Sequence, residues 1–158
     1  MAGIFQVNEV VNIALEIEKR GEQFYKDMAG KVGDSSVRET LLFLAGEEVK
    51  HQNIFSHMLS RMRSMEIPPG SSESDYWAYV NDLIDSHFLF DSPVAKKLIS
   101  SVSTDEEVLH LAMGFEKESI LFFTEMKSLV PAEEAKAVEA CIQEERKHLR
   151  KLSLLLKG

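Results

Sequence analysis

Two short stretches of the chain carry the same reactive pair. Glu48 and His51 stand three residues apart in "GEEVKH", and Glu145 and His148 stand three apart in "QEERKH". In a helix that spacing brings both side chains to one face, within a turn of each other, where a carboxylate and an imidazole can share a metal ion. A single match means little in a glutamate-rich chain with five histidines, and a third one, Glu107 and His110, serves as a control. Register separates them. Glu48/His51 and Glu145/His148 fall on runs of apolar residues spaced alternately by three and four, as do two further glutamates, Glu18 and Glu116. Glu107 and His110 lie off their own run and read as a surface pair.

An ionised carboxylate is costly to bury unless something compensates its charge. Four glutamates and two histidines facing one another from four helices form the ligand set of a di-iron or di-manganese carboxylate site. Carboxylate oxygens suit hard cations, and each imidazole adds a borderline nitrogen. Two divalent ions carry four positive charges, which four carboxylates cancel.

Positioning these groups requires four helices. The first apolar run passes through Val7, Val11, Ala14, Glu18, Gly21 and Tyr25, and the second through Leu41, Leu44, Glu48, His51 and Phe55. The third follows a capping-box signature from Thr104 to Glu107 and passes through Leu109, Ala112, Glu116, Ser119 and Phe123. The fourth starts near Pro131, a good first-turn residue, and passes through Val138, Cys141, Glu145, His148 and Leu152. Short connections, "GKVGDSS" and "VPAE", make each pair an antiparallel hairpin, about residues 5–65 and 104–157. Between them, about residues 66–103 form a long crossover, with "DYWAYVNDLIDSHFLF" expected as one helix and "SPVAKKLISSV" as a shorter one. The crossover is expected to cover a face of the bundle or to join a dimer contact. The reading is an all-α single domain, a four-helix bundle with one long, partly helical crossover between helices two and three, which is the ferritin-like arrangement. The steps from Glu18 to Glu48 and from Glu116 to Glu145 are nearly equal, so the two hairpins are expected to relate by a pseudo-twofold axis.

Other residues on these faces carry less. Tyr25 lies two turns after Glu18; it packs in the core with a hydroxyl that needs a partner, or it bonds a ligating carboxylate on the facing helix and is the candidate catalytic side chain. Its counterpart Phe123 has no hydroxyl. Cys141 reads as a buried structural thiol. Glu16, Glu22, Glu47, Glu118 and Glu144 are off the apolar runs and are expected in solvent; His57 and His87 receive no role.

Composition bounds the remainder. With 158 residues, 44% of them hydrophobic, the chain can bury a substantial core, and a formal charge of −8 argues against nucleic acid. No apolar run reaches the length of a membrane span, no secretory signal pattern is seen, and the single cysteine excludes an internal disulfide, so a cytoplasmic location is expected.

With these residues in view, the chain resembles the rubrerythrin-like branch of the ferritin-like di-iron proteins. The matching stretches are "ALEIEKRGEQFY", "FLAGEEVKH", "FEKESILFF" and "EERKH", which span both hairpins. The resemblance implies two iron ions in an oxo- or carboxylate-bridged centre, with manganese or a mixed pair compatible with the same ligands. It implies Glu48 and Glu145 as bridging carboxylates, Glu18 and Glu116 as terminal ligands, His51 on the metal of Glu18 and His148 on that of Glu116. Rubrerythrins proper add a rubredoxin-type site built from two Cys-x-x-Cys pairs. Here Cys141 stands alone, so electrons are expected from an external donor such as a rubredoxin-type protein. The family's peroxidases place another Glu one turn after the third-helix ligand, and this chain has Ser119.

The expected function is an oxidoreductase that reduces dioxygen or hydrogen peroxide in oxidative-stress defence. A ferroxidase or iron-handling protein and a structural metal-binding bundle are the alternatives. A homodimer is expected from the resemblance and from apolar residues such as Ile13, Ile17 and Phe88 to Phe90.

Overall fold

The computed structural model describes residues 7–61, 73–87 and 93–158. Six helices follow in order: α1 (Val7–Ala29), α2 (Ser35–Arg61), α3 (Glu73–Ser86), α4 (Pro93–Ser101), α5 (Asp105–Leu129) and α6 (Ala132–Lys157). Helices α1/α2 and α5/α6 form the two hairpins, and α3 and α4 lie in the crossover. The fold is the expected ferritin-like bundle, with no strand among the described residues.

Local sequence explains where each helix begins and ends. Asp34 precedes α2 and its carboxylate accepts the Val37 N–H at 3.0 Å, satisfying a donor that the first helical turn leaves unpaired. Arg38 reaches back to the last turn of α1 and the loop, donating to the carbonyls of Ala29 and Val32 at 3.3 and 2.7 Å. At the start of α5 the Thr104 hydroxyl accepts the Glu107 N–H at 3.1 Å, and the Glu107 carboxylate accepts from Ser103 N–H at 3.0 Å. The capping box is therefore present, with its return bond shifted by one residue. Pro131 precedes α6 as its N-cap, one position earlier than a first-turn proline.

Two polar contacts tie the hairpins together at opposite ends. The Asp105 carboxylate accepts from the N–H groups of Gly33 and Asp34 at 3.0 and 2.9 Å, which joins the α1–α2 loop to the start of α5. Arg61 grips Glu134 with two bonds of 2.6 and 2.8 Å, which joins the end of α2 to the start of α6. Between these ends the core is apolar: Leu44, Phe55, Met58, Phe115, Met126 and Leu152 are all fully buried. Each such side chain contributes roughly 1.5–3 kcal/mol on burial. That stabilisation offsets the cost of the polar layer in the middle.

The crossover covers α5. Tyr76 and Tyr79 donate to Glu125 at 3.2 and 3.3 Å, and Trp77 and Val80 of α3 are buried. Helix α3 stops at Ser86 rather than running on to Phe90, and His87 follows it out of helical conformation. Phe88 to Phe90, named as dimer-contact candidates, lie outside the described residues. Ile17, the second such candidate, is buried within the chain itself and so is not available to a partner. Helix α1 packs against both α2 and α5, and its buried face is wider than one stripe.

Candidate metal centre

Halfway along the bundle each of the four long helices contributes to one buried polar cluster. Glu18 from α1, Glu48 and His51 from α2, Glu116 from α5, and Glu145 and His148 from α6 are all brought together there; the four glutamates are 0% exposed. The reason is local: one residue every three or four on each helix faces the bundle axis, and in each helix the same level of that face is polar. Two overlapping groups result. Glu18, Glu48, His51 and Glu145 present ligand atoms within 4.8 Å of one another, as do Glu48, Glu116, Glu145 and His148. Glu48 and Glu145 belong to both.

Both imidazoles direct Nδ1 at the carboxylates. His51 Nδ1 lies 2.7 Å from Glu145 Oε1 and 3.1 Å from Glu18 Oε2. His148 Nδ1 lies 3.5 Å from Glu145 Oε2 and 3.6 Å from Glu116 Oε1, beyond hydrogen-bond reach. The rings stack with centroids 6.0 Å apart. Tyr25 donates its hydroxyl to Glu116 Oε1 across the bundle, linking the first hairpin to the second. Its ring rests edge-on against Phe115, 5.7 Å away. Gly21 makes that packing possible, because a Cβ there would lie 2.5 Å from the Phe115 ring and 3.1 Å from Glu48 Oε2.

Burial and mutual repulsion of the carboxylates dominate the electrostatics of the cluster. Burial pushes the carboxyls of Glu18, Glu48 and Glu116 well above the usual range, and the negative charge of Glu145 pushes each of them further. Burial would raise Glu145 too, but the neighbouring Glu116 carboxyl and the two imidazoles overcome it and hold its pKa low. Burial would lower His148, yet the carboxylates of Glu116 and Glu145 lift it to about 9. Glu18 Oε1, both oxygens of Glu48 and Glu116 Oε2 are buried with no hydrogen-bond partner. Native interiors rarely leave carboxylate oxygens so. Two divalent cations fit this donor set in charge, in oxygen and nitrogen content, and in the division into two groups sharing two carboxylates.

A rubrerythrin family model matches residues 9–156. The chain belongs to the rubrerythrin family. Among solved structures it is similar to a Thermotoga maritima protein assigned to the ferritin-like diiron-carboxylate proteins, at 27% identity and a TM-score of 0.71, covering 100% of this chain and 99% of the other. A comparison with curated proteins finds no match. Rubrerythrin-family membership and the buried Glu/His cluster together make this a candidate di-metal protein of ferritin-like fold. No helix among the described residues is long and apolar enough to cross a membrane.

Several neighbours depart from expectation. Glu47 is buried rather than solvated, held by Lys50 at 2.5 Å. One step off the α2 stripe, it points into the seam with α6. His87, which had no assigned role, is buried beside Phe115 and Glu118, and burial together with the Arg20 charge lowers it to about 4. His110 is exposed as expected, but its acid is Glu106 at 3.9 Å, because Glu107 is engaged in the helix cap. Ser119 is fully buried, with no hydrogen bond from its hydroxyl. Cys141 is a buried free thiol, pushed up by burial and by nearby carboxylates. A protonated, enclosed thiol of this kind is inert.

Proposed function

We propose that this rubrerythrin-family chain holds two iron ions and acts as an oxidoreductase on dioxygen or hydrogen peroxide in oxidative-stress defence, with electrons supplied by an external donor. The observation that carries the reading is the buried set of partnerless carboxylate oxygens, divided into two groups that share Glu48 and Glu145. Glu18 and His51 would complete one metal's ligands, and Glu116 and His148 the other's. When bound, such a pair supplies one electron per ion, matching the two-electron reduction of peroxide without release of a radical.

The chain's own residues set the conditions for that chemistry. The four buried glutamates would balance the charge of two divalent ions. Tyr25 fixes the rotamer of Glu116 by its hydrogen bond, and so orients one terminal carboxylate before anything binds. Phe55 and Phe123, packed at 5.2 Å, close one side of the polar layer with apolar surface, and Phe115 and Tyr25 close another. With one cysteine in its 158 residues, this stretch of chain cannot itself build a four-cysteine iron site, which supports a separate electron donor.

The test is anaerobic loading of metal-free protein with Fe(II), followed by oxygen or peroxide. Two iron ions per chain, retained through repeated turnover with an electron donor, support the reading. Iron that leaves the site after oxidation would make iron handling the function instead.

A further inference from the structure

The buried cluster lies beneath a second layer of acids that the ligand set does not use. Glu47 and Glu144 immediately precede Glu48 and Glu145, so the pseudo-twofold repeat places them at equivalent positions on α2 and α6. Together with His148 they present ligand atoms within 4.8 Å of one another. Each acid is clasped by the lysine three residues on, Lys50 at 2.5 Å and Lys147 at 2.9 Å. His148 is buried, and neither of its ring nitrogens has a hydrogen-bond partner. The imidazole is thus a buried, unsatisfied donor atom set directly under the two outer carboxylates.

Exposure falls steadily along this line. The side chain of Lys147 is 70% exposed, Glu144 41%, Glu47 11%, His148 4% and Glu145 0%. Here a cation leaving water would meet a half-exposed carboxylate, then a nearly buried one, then an imidazole belonging to the inner group. The lysines do not block it, since an ion pair with an exposed ammonium on a flexible stem is weak and yields to a divalent ion.

We propose that Glu47, Glu144 and His148 form a third, outer site for a divalent transition-metal cation, through which ions pass into the buried centre. The proposal rests on the di-metal reading of the inner cluster. Its ligand is a partly hydrated M(II) ion held more weakly than the inner pair, because it has fewer protein donors and competes with two lysines. His148 belongs to both the outer and the inner group, so rotation of one imidazole, with the carboxylates at hand, carries an ion inward.

The test is titration of the metal-free full chain with Co2+, followed by calorimetry and visible absorption, with stopped-flow loading at limiting Co2+. Wild-type protein should bind two ions tightly and a third weakly. Glu47→Gln with Glu144→Gln should keep the tight pair, lose the weak ion and load the inner centre roughly ten times more slowly, in line with the effect of removing a carboxylate near a metal. Glu144→Gln alone, at the half-exposed position, should show a smaller loss of the same kind. Lys50→Ala with Lys147→Ala should tighten the third ion. Saturation of the wild type at two ions, with loading rates unchanged in the double glutamine variant, would overturn the outer site. So would a variant that weakens the inner pair instead, since that would make Glu47 and Glu144 supports of His148. Absence of the tight pair in the wild type would overturn the reading of the inner centre, and the outer site with it.

Discussion

On the inner face of α1 stand Glu18, Gly21 and Tyr25; at the same offsets α5 carries Glu116, Ser119 and Phe123. The first hairpin thus sends a hydroxyl across the bundle to Glu116, while the second sends a phenyl ring that meets Phe55. Glu18 has no tyrosine, and is approached instead by His51 Nδ1 at 3.1 Å, whereas His148 keeps 3.6 Å from Glu116. The ligand types repeat and their supports do not. If the cage holds two metal ions as proposed, these unlike supports make their positions inequivalent, one beside the carboxylate that Tyr25 holds and one beside the carboxylate that His51 approaches.

Substituting a shared carboxylate removes the comparison altogether. Glu48→Ala or Glu145→Ala should abolish stable binding of both ions, read as metal content after desalting. His51→Ala and His148→Ala should separate the halves, each leaving about one tightly held ion per chain, since each imidazole belongs to only one of the two inner ligand groups. If both histidine variants lose both ions equally, the positions are not independent.

Tyr25→Phe tests the asymmetry itself. It should retain both ions, weaken one roughly tenfold, and destabilise the metal-free protein by about 1–3 kcal/mol through the acceptor left on Glu116. Phe123→Tyr is the converse, and should tighten the ion held by Glu18 if the new hydroxyl reaches that carboxylate. Equal effects of Tyr25→Phe on both ions would contradict the account.

Acidity gives a further difference, between the empty and the loaded cluster. Glu18, Glu48 and Glu116 have raised pKa values when folded, so the folded metal-free chain holds protons that the unfolded chain releases above about pH 4.5. Their effect is that stability falls as pH rises beyond that point. His148, raised to about 9 from 6.5, adds stability that is complete below 6.5 and lost as pH climbs through 9. Glu145 is depressed, so its contribution disappears only on acidification below 4.5. Metal-free protein should therefore lose stability from pH 5 to 9 in thermal melts. Binding of metal displaces those protons, so affinity for the ions should rise over the same range.

The smallest effect is expected where the hairpins meet away from the centre. Asp105→Ala removes the acceptor of the Gly33 and Asp34 N–H groups, and should lower the melting temperature slightly with no change in metal content. The Asp105 carboxyl is depressed by those two hydrogen bonds, so its contribution is present above its unfolded pKa and lost as pH falls through the folded one.

The fold and the six clustered residues were legible in the sequence because helical spacing is a strong, repeated signal. Glu18, Glu48, Glu116 and Glu145 each interrupt an apolar run at the same level of a different helix. What escaped were residues whose placement depends on a second helix. Glu47 and Ile17 sit one step off their stripes, and only the seam with α6 or the wide buried face of α1 decides that they are inside. His87 is buried by the crossover, and its partner Glu118 belongs to a helix far away in sequence. The pairing of Arg61 with Glu134 joins residues 73 positions apart. Periodicity has no access to such contacts. The end of α3 at Ser86 carries no glycine or proline to mark it, so composition alone does not show that His87 leaves the helix.

If the buried carboxylates serve to hold two metal ions, elemental analysis will find those ions in the protein. Protein purified with iron available, then desalted, should contain two metal ions per chain, and the Glu48→Gln/Glu145→Gln variant should contain almost none while keeping its helix content. Less than about one metal ion per chain in the wild type, or undiminished metal in the variant, would contradict the account.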